Sequence, residues 1–260
     1  MIKQVEPKVK SLYKALKLLD FFDEDHKELG VTEISEMSGI IKSSVYNILQ
    51  TFEICGFVTQ NYDNHKYRIG SFALELFEKY RTSHHIDYRV SECLQEIKNK
   101  YHVNVYLGMR DAFEVIFICA ELQTNNSIGK LHKIGARTPL HCIGLGKILL
   151  GFSEVEIREA FYKTQPLQRF TPFTICDPEI LRKEVEESVY KGYATSDSEY
   201  IDGMHNVAVP IIFGYEPIKY ALGVSTTIPF SDYDLKEILK ELRDKSKIIA
   251  SLIIYEKRLS

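Results

Sequence analysis

Apolar positions along the first 80 residues recur with helical spacing in four places. Val9, Leu12, Leu16 and Leu19 place a first helix over 8–22, with Lys10, Ser11 and Lys14 on or near its polar side. The stretch Gly30 to Val58 reads as two short helices joined by a glycine turn. Thr32 is the expected N-cap of the first of these, with Glu33 in its first turn, Ile34 and Met37 facing inward, and Gly39 ending it. In the second, Val45, Ile48, Leu49 and Phe52 form one stripe and Gly56 stops the helix. Short strands over 57–60 and 66–69 then flank the turn 61–65, a hairpin appended as a wing. Residues 71–81 are apolar on more than one side, with Phe72, Leu76 and Tyr80 on one stripe and Ala73, Leu74 and Phe77 on another. Such a helix needs a second surface, and we read it as a linker that packs on a partner subunit.

After the polar bend at 81–85 the pattern changes. A helix from Ile86 precedes a strand pair over 103–108 and 114–120, expected to turn near Arg110-Asp111. Further strands are expected at 128–134, 205–213 and 219–227. Helices are expected at 144–152, 154–162 and 178–191, with a long final one carrying Leu235 to Leu252. The fold class is α+β. The division is 1–70 for a winged helix-turn-helix, 71–84 for a linker and dimerisation helix, and 85–260 for the larger domain.

The outward positions of the second central helix carry the chemistry. Lys42, Ser43, Ser44, Tyr46, Asn47 and Gln50 include no carboxylate. A helix that enters a major groove cannot carry one there, because it would meet phosphates. Lys10, Ser11 and Lys14, and Lys66 and Arg68 at the wing, are the expected backbone contacts. The net charge of −3 supplies no global basic footprint, so the assignment rests on local distribution. Five cysteines form no C-x-x-C pair and fit a reducing cytoplasm, and no run is long enough to span a membrane or to serve as a secretion signal.

Catalytic readings fail on spacing. Gly144-Leu-Gly-Lys147 lacks the glycine and hydroxyl of a phosphate loop, since His141 and Ile148 stand there. His141 and Cys142 are neighbours that point apart on an extended chain, His84 and His85 lack companion ligands, and Glu199 has no partner carboxylate at recognisable spacing. No catalytic residue, metal or cofactor is expected. An acid-processing enzyme with an accessory winged helix, or a winged helix that binds protein, are the competing readings.

Several motifs together resemble the IclR-type bacterial transcription regulators: KSLYKALKLLDFF, YRIGSFALEL, IGARTPLHCIGLGKILLGF, RFTPFTICDPEIL and GYATSDSEYIDGMHNVAVPI. They span nearly the whole chain in the family's order. The resemblance implies a dimer or tetramer on a palindromic operator and a GAF-like C-terminal domain that binds a small effector, an organic acid by analogy. By position in the family motif the effector contacts are Leu131, Gly144, Leu145, Asp197, Met204, Asn206, Ser225 and Thr227. The chain departs from the family at Asn47, where arginine is common, so operator preference does not carry over.

Overall fold

The computed structural model describes residues 6–84, 86, 88–123, 133–214 and 217–259, with side chains to 253. Contacts divide the chain into two units, Lys3–His84 and His85–Ser260.

The first unit opens with α1 (Lys10–Lys17), which tightens into a 3₁₀ turn over Leu18–Phe21. The turn rotates Leu18 into the core, with Ala15 and Leu19 packed beside it. The stripe of Val9, Leu12 and Leu16 stays exposed, together with Tyr13. The single long helix expected over 8–22 is therefore two turns of α-helix and a tighter coil. α2 (Val31–Ser38) begins two residues earlier than expected. Its N-cap is Gly30, not Thr32, because the Glu33 carboxylate accepts the Gly30 N–H at 2.7 Å. Met37 is exposed and only Ile34 turns inward. Gly39 ends α2 at φ +68°, a conformation glycine adopts without strain. α3 (Lys42–Ile54) buries Val45, Leu49 and Phe52, each worth about 2 kcal/mol of apolar transfer. β1 (Val58–Gln60) and β2 (Tyr67–Ile69) pair antiparallel as the wing.

Gly70 closes this unit. A Cβ there would lie 2.3 Å from the Gly56 carbonyl oxygen, so only glycine fits. The Gly70 N–H donates to the Phe57 carbonyl, and the Phe72 N–H donates to that of Gly56. α4 (Phe72–Ser83) is thereby fixed to the end of α3, and the Phe52, Phe57 and Phe72 rings pack tilted and edge-to-face with centroids 5.6 and 4.8 Å apart. Beyond Phe72 the helix buries no residue, and Leu74 is 72% exposed.

The second unit is one six-stranded antiparallel sheet in the order β5-β4-β3-β8-β7-β6. These strands are β3 (Asn104–Asp111), β4 (Glu114–Glu121), β5 (Arg137–Pro139), β6 (Ala194–Asp197), β7 (His205–Ile211) and β8 (Tyr220–Thr226). Helices α5 (Tyr88–Tyr101) and α9 (Asp232–Leu259) cover one face. On the other lie α6 (Gly144–Gly151) and α8 (Pro178–Lys191), with α7 (Val155–Thr164) between them in sequence. α8 has complete end signals. The Asp177 carboxylate accepts from the Glu179 and Ile180 amides, Pro178 follows, and Gly192 caps the far end at φ +71°.

The hairpin β3–β4 turns at Ala112 and Phe113, two residues beyond the expected Arg110-Asp111. A register shift at Leu107/Gly108 lets β4 exchange faces. Val115 and Phe117 join the core under α6, whereas Glu121 reaches Ser91 on α5. Two edge strands, β5 and β6, were not anticipated from the sequence. The strand expected at 128–134 lies almost entirely outside the described residues.

Candidate DNA-reading and effector sites

On α3, Lys42, Ser43, Tyr46 and Asn47 are exposed along one helical face, and Lys42 makes no ion pair among the described residues. The helix start is uncapped, since Ile41 offers no side-chain acceptor, so its first amides are open toward the same face. Ser44 is half-buried. Gln50 turns away from that face, its amide donating to the buried Tyr67 hydroxyl at 3.3 Å, and serves to hold helix against wing.

The wing is built around a carboxylate. Glu28 accepts from Asn64 Nδ2 at 2.8 Å and from Asn61 Nδ2, contacts that hold its pKa below the usual carboxylate value, with Arg68 4.0 Å away. Lys66 donates to Glu33 at 2.9 Å. Lys66 and Arg68 are therefore partly neutralised where they stand. On α1, Lys10 pairs with Glu6 at 3.2 Å, whereas Ser11 and Lys14 have no side-chain partner among the described residues.

In the second unit the residues of the expected effector site separate into two groups. β3, β8, β7 and β6 bring Asn104, Ser225, Asn206 and Ser196 into one register row. Alternation puts this row on the face turned to α6, the face of Tyr106, Ala208 and Ala194. The Tyr106 hydroxyl lies 3.2 Å from Ser225 Oγ, Asn206 Nδ2 donates to Ser196 Oγ, and Ser196 donates to the Cys142 carbonyl. The start of α6 sits on this face where the sheet is thinned. Leu145 rests on Gly223 and Gly108, and a Cβ at Gly144 would meet the Ala194 carbonyl at 3.1 Å. Tyr106, Phe117, Ile143, Leu145 and Asn206 enclose a cavity of about 10 Å³, room for no more than a single water.

Asp197 is not part of this group. It follows Ser196 on β6, so it points to the opposite face, where its carboxylate meets His205 Nδ1 at 2.8 Å. Thr227 falls beyond the end of β8 and is exposed. Met204 is fully buried in the loop before β7, its carbonyl accepting the Ser198 N–H. Leu131 lies outside the described residues, as does His85.

Sequence spacing missed a charged cluster under α6. Lys147 is completely buried, and its ammonium donates to Glu184, to Glu199 at 2.5 Å and to the Thr195 carbonyl at 3.3 Å. Burial pushes the Glu199 carboxyl up to about 7, against the pull of Lys147, and Glu184 adds to the rise. The partner carboxylate of Glu199 exists after all, but the tertiary fold supplies it. His141 and Cys142 form no nucleophile pair. The imidazole meets the Gln168 carbonyl at 2.9 Å, and burial pushes the Cys142 thiol far up. Among the described residues no three His, Cys, Asp or Glu side chains gather at metal-binding distance, and no helix is long and apolar enough to cross a membrane.

Comparison with known proteins gives the family. A family profile for the IclR helix-turn-helix domain matches residues 11–61, and one for the bacterial transcriptional regulator IclR C-terminal region matches residues 78–251. The regulator XynR of Escherichia coli is 28% identical over 251 residues, covering 96% of this chain and 99% of its own. KdgR of the same organism is 27% identical, covering 95% and 94%. Among solved structures, the Thermotoga maritima IclR superposes with a TM-score of 0.76 at 25% identity, covering 94% of this chain and 98% of its own. An IclR homologue from Microbacterium hydrocarbonoxydans, solved with 4-hydroxybenzoate, gives 0.78 at 21% identity, covering 96% and 100%. The chain belongs to the IclR family of DNA-binding bacterial transcriptional regulators.

Proposed function

We propose that this protein is a cytoplasmic, non-enzymatic regulator that binds a palindromic operator as a homodimer or tetramer and releases or engages it in response to a small organic acid. The carboxylate-free α3 face of Lys42, Ser43, Tyr46 and Asn47 carries the DNA reading. Selection of bound sequences from a random DNA library at physiological salt tests it. A recovered palindrome supports the proposal, and no enrichment with the oligomer intact turns it toward protein recognition.

Within that face Lys42 and Asn47 have separable roles. Lys42→Ala is expected to weaken binding across all sequences and to reduce the salt slope by about 1. Asn47→Ala is expected to alter base preference, removing discrimination of about 1–3 kcal/mol at one position. An unchanged preferred sequence in the Asn47 variant would show that this residue does not read a base.

The oligomer reading rests on apolar surface. Val9, Leu12, Tyr13 and Leu16 on α1, and Leu74, Leu76 and Phe77 on α4, are exposed within the first unit. A second copy that buries them explains why a helix with almost no core contacts carries so many apolar groups. A double substitution, Leu74→Asp with Phe77→Asp, is expected to shift sedimentation toward monomer and to weaken operator binding. Retention of the wild-type sedimentation coefficient would place the interface elsewhere.

The effector reading is supported by the convergent polar row and the open amides at the start of α6. The 4-hydroxybenzoate bound by the Microbacterium homologue is consistent with an aromatic or other small acid. A cavity of about 10 Å³ is too small for such a molecule. Binding therefore selects an arrangement in which Ile143–Leu145 stands further from the sheet. An effector shifts DNA affinity only through its differential affinity for the two arrangements.

A further inference from the structure

Between the β3–β4 turn and the end of α7 lies a cavity of about 350 Å³ that shares no residue with the one at the start of α6. Its volume falls in the range of small-molecule sites, roughly 300–1,000 Å³. Phe113 from the turn, Phe161 from α7, and Pro139 and Pro166 supply apolar wall, with the two rings edge to face at 5.6 Å. His141 and Glu114 interrupt that wall, and each holds an unused acceptor.

His141 is 2% exposed, and its Nε2 lies 2.9 Å from the Gln168 carbonyl. A carbonyl oxygen only accepts, so Nε2 carries the ring proton. Burial lowers the pKa of the imidazole, against the Gln168 hydrogen bond, so the ring is neutral and Nδ1 is a bare lone pair. No described group donates to that lone pair. Glu114 gives Oε2 to Arg137 at 3.1 Å, and no described group takes its Oε1. Arg137 is shared with Asp111, so two carboxylates against one guanidinium leave a local charge of −1.

The end of α7 adds to this sign. Its last carbonyls form the negative end of the helix dipole, and Phe161 and Gln165 at that end line the cavity. Lys163, the basic residue of that last turn, does not line it, and neither does any other described Lys or Arg. The cavity therefore offers acceptors, negative potential and aromatic rings, which disfavour an acid and suit a cation.

We propose that this cavity is a second ligand site, which takes the ammonium of a small primary amine with an apolar or aromatic body. Its N–H groups go to His141 Nδ1 and Glu114 Oε1, and its body lies against Phe113, Phe161 and Pro166. This goes beyond the effector reading and does not depend on it.

The test is calorimetric titration of the full chain with benzylamine, against benzyl alcohol and benzoate, which keep the ring and change the charge. Benzylamine is expected to bind at least about tenfold more tightly than benzyl alcohol, and benzoate is expected not to compete with it. Glu114→Gln removes the charge at nearly constant shape, and His141→Phe keeps a ring and removes both nitrogens. Each is expected to weaken benzylamine at least about tenfold and to leave benzyl alcohol unchanged. Melting temperatures show whether each variant is folded, and if His141→Phe unfolds through loss of the Gln168 bond, Glu114→Gln alone decides. Benzyl alcohol bound as tightly as benzylamine, or benzoate competing with it, overturns the ligand class. No binding of benzylamine, or wild-type affinity in either folded variant, overturns the site. Loss in Asn206→Leu without loss in Glu114→Gln places the amine under α6 and overturns it as well. Each of these failures leaves the effector reading standing, since neither His141 nor Glu114 belongs to the polar row.

Discussion

Replacing Lys147 with methionine is expected to destabilise the C-terminal unit by about 3–5 kcal/mol, read from denaturant unfolding at pH 8. The side chain is completely buried and its ammonium is shared by Glu184 and Glu199. Methionine fills similar volume, so the loss comes from stranding carboxylate charge rather than from a cavity. The prediction carries a pH signature. The folded Glu199 carboxyl has its pKa raised to about 7 from the ordinary 4.5. The folded state thus binds the proton more tightly than the unfolded chain. Its contribution to stability is fully present below about pH 4.5 and is lost as pH rises through about 7. The Lys147→Met defect should accordingly shrink at pH 6, where Glu199 takes up a proton. Glu199→Gln should flatten the stability profile between those two values. A Lys147→Met protein as stable as the wild type at pH 8 would mean that the cluster contributes no net stability.

Gly70→Ala is expected to be the most damaging single-methyl change in the DNA-binding unit, with a loss of about 3 kcal/mol and a matching fall in operator affinity. The added carbon would stand 2.3 Å from the Gly56 carbonyl oxygen, which belongs to backbone and cannot rotate away. Gly56 is itself held at φ +76°, at the end of α3, so relief on one side strains the other. Gly39→Ala is the control. It lies in open space at φ +68° and should lose only about 1–2 kcal/mol, from conformation alone. Thermal unfolding of the two variants side by side checks the order, and equal losses would contradict the steric account. Beside the Gly56–Gly70 contact, the edge-packed Phe52, Phe57 and Phe72 rings join α3 to α4.

Reading the sequence alone succeeded where local rules act without competition. The stripe Val45–Leu49–Phe52 faces the core, Gly39 and Gly56 terminate their helices, and α8 begins and ends where Asp177, Pro178 and Gly192 say it should. It failed at α1, where equally apolar Leu16 and Leu18 compete for the inward position. A change of helical pitch, invisible to a 3.6-residue template, awarded it to Leu18. It also failed at β5 and β6, edge strands of three and four residues too short to show a period. Asp197 stands apart from the polar row because strand alternation assigns faces, which a motif that records order along the chain does not show, and the inward position belongs to Ser196.

The sequence by itself determined the regulator class, the carboxylate-free outward face of α3, and the order of elements, because these depend on residues near one another along the chain. Only the tertiary structure decided which polar groups meet. The row Asn104–Ser225–Asn206–Ser196 gathers residues from four strands, and the Lys147 cluster joins positions 37 and 52 residues apart. Pairing at such separations is set by strand register and by what must be buried together, and no local pattern encodes it.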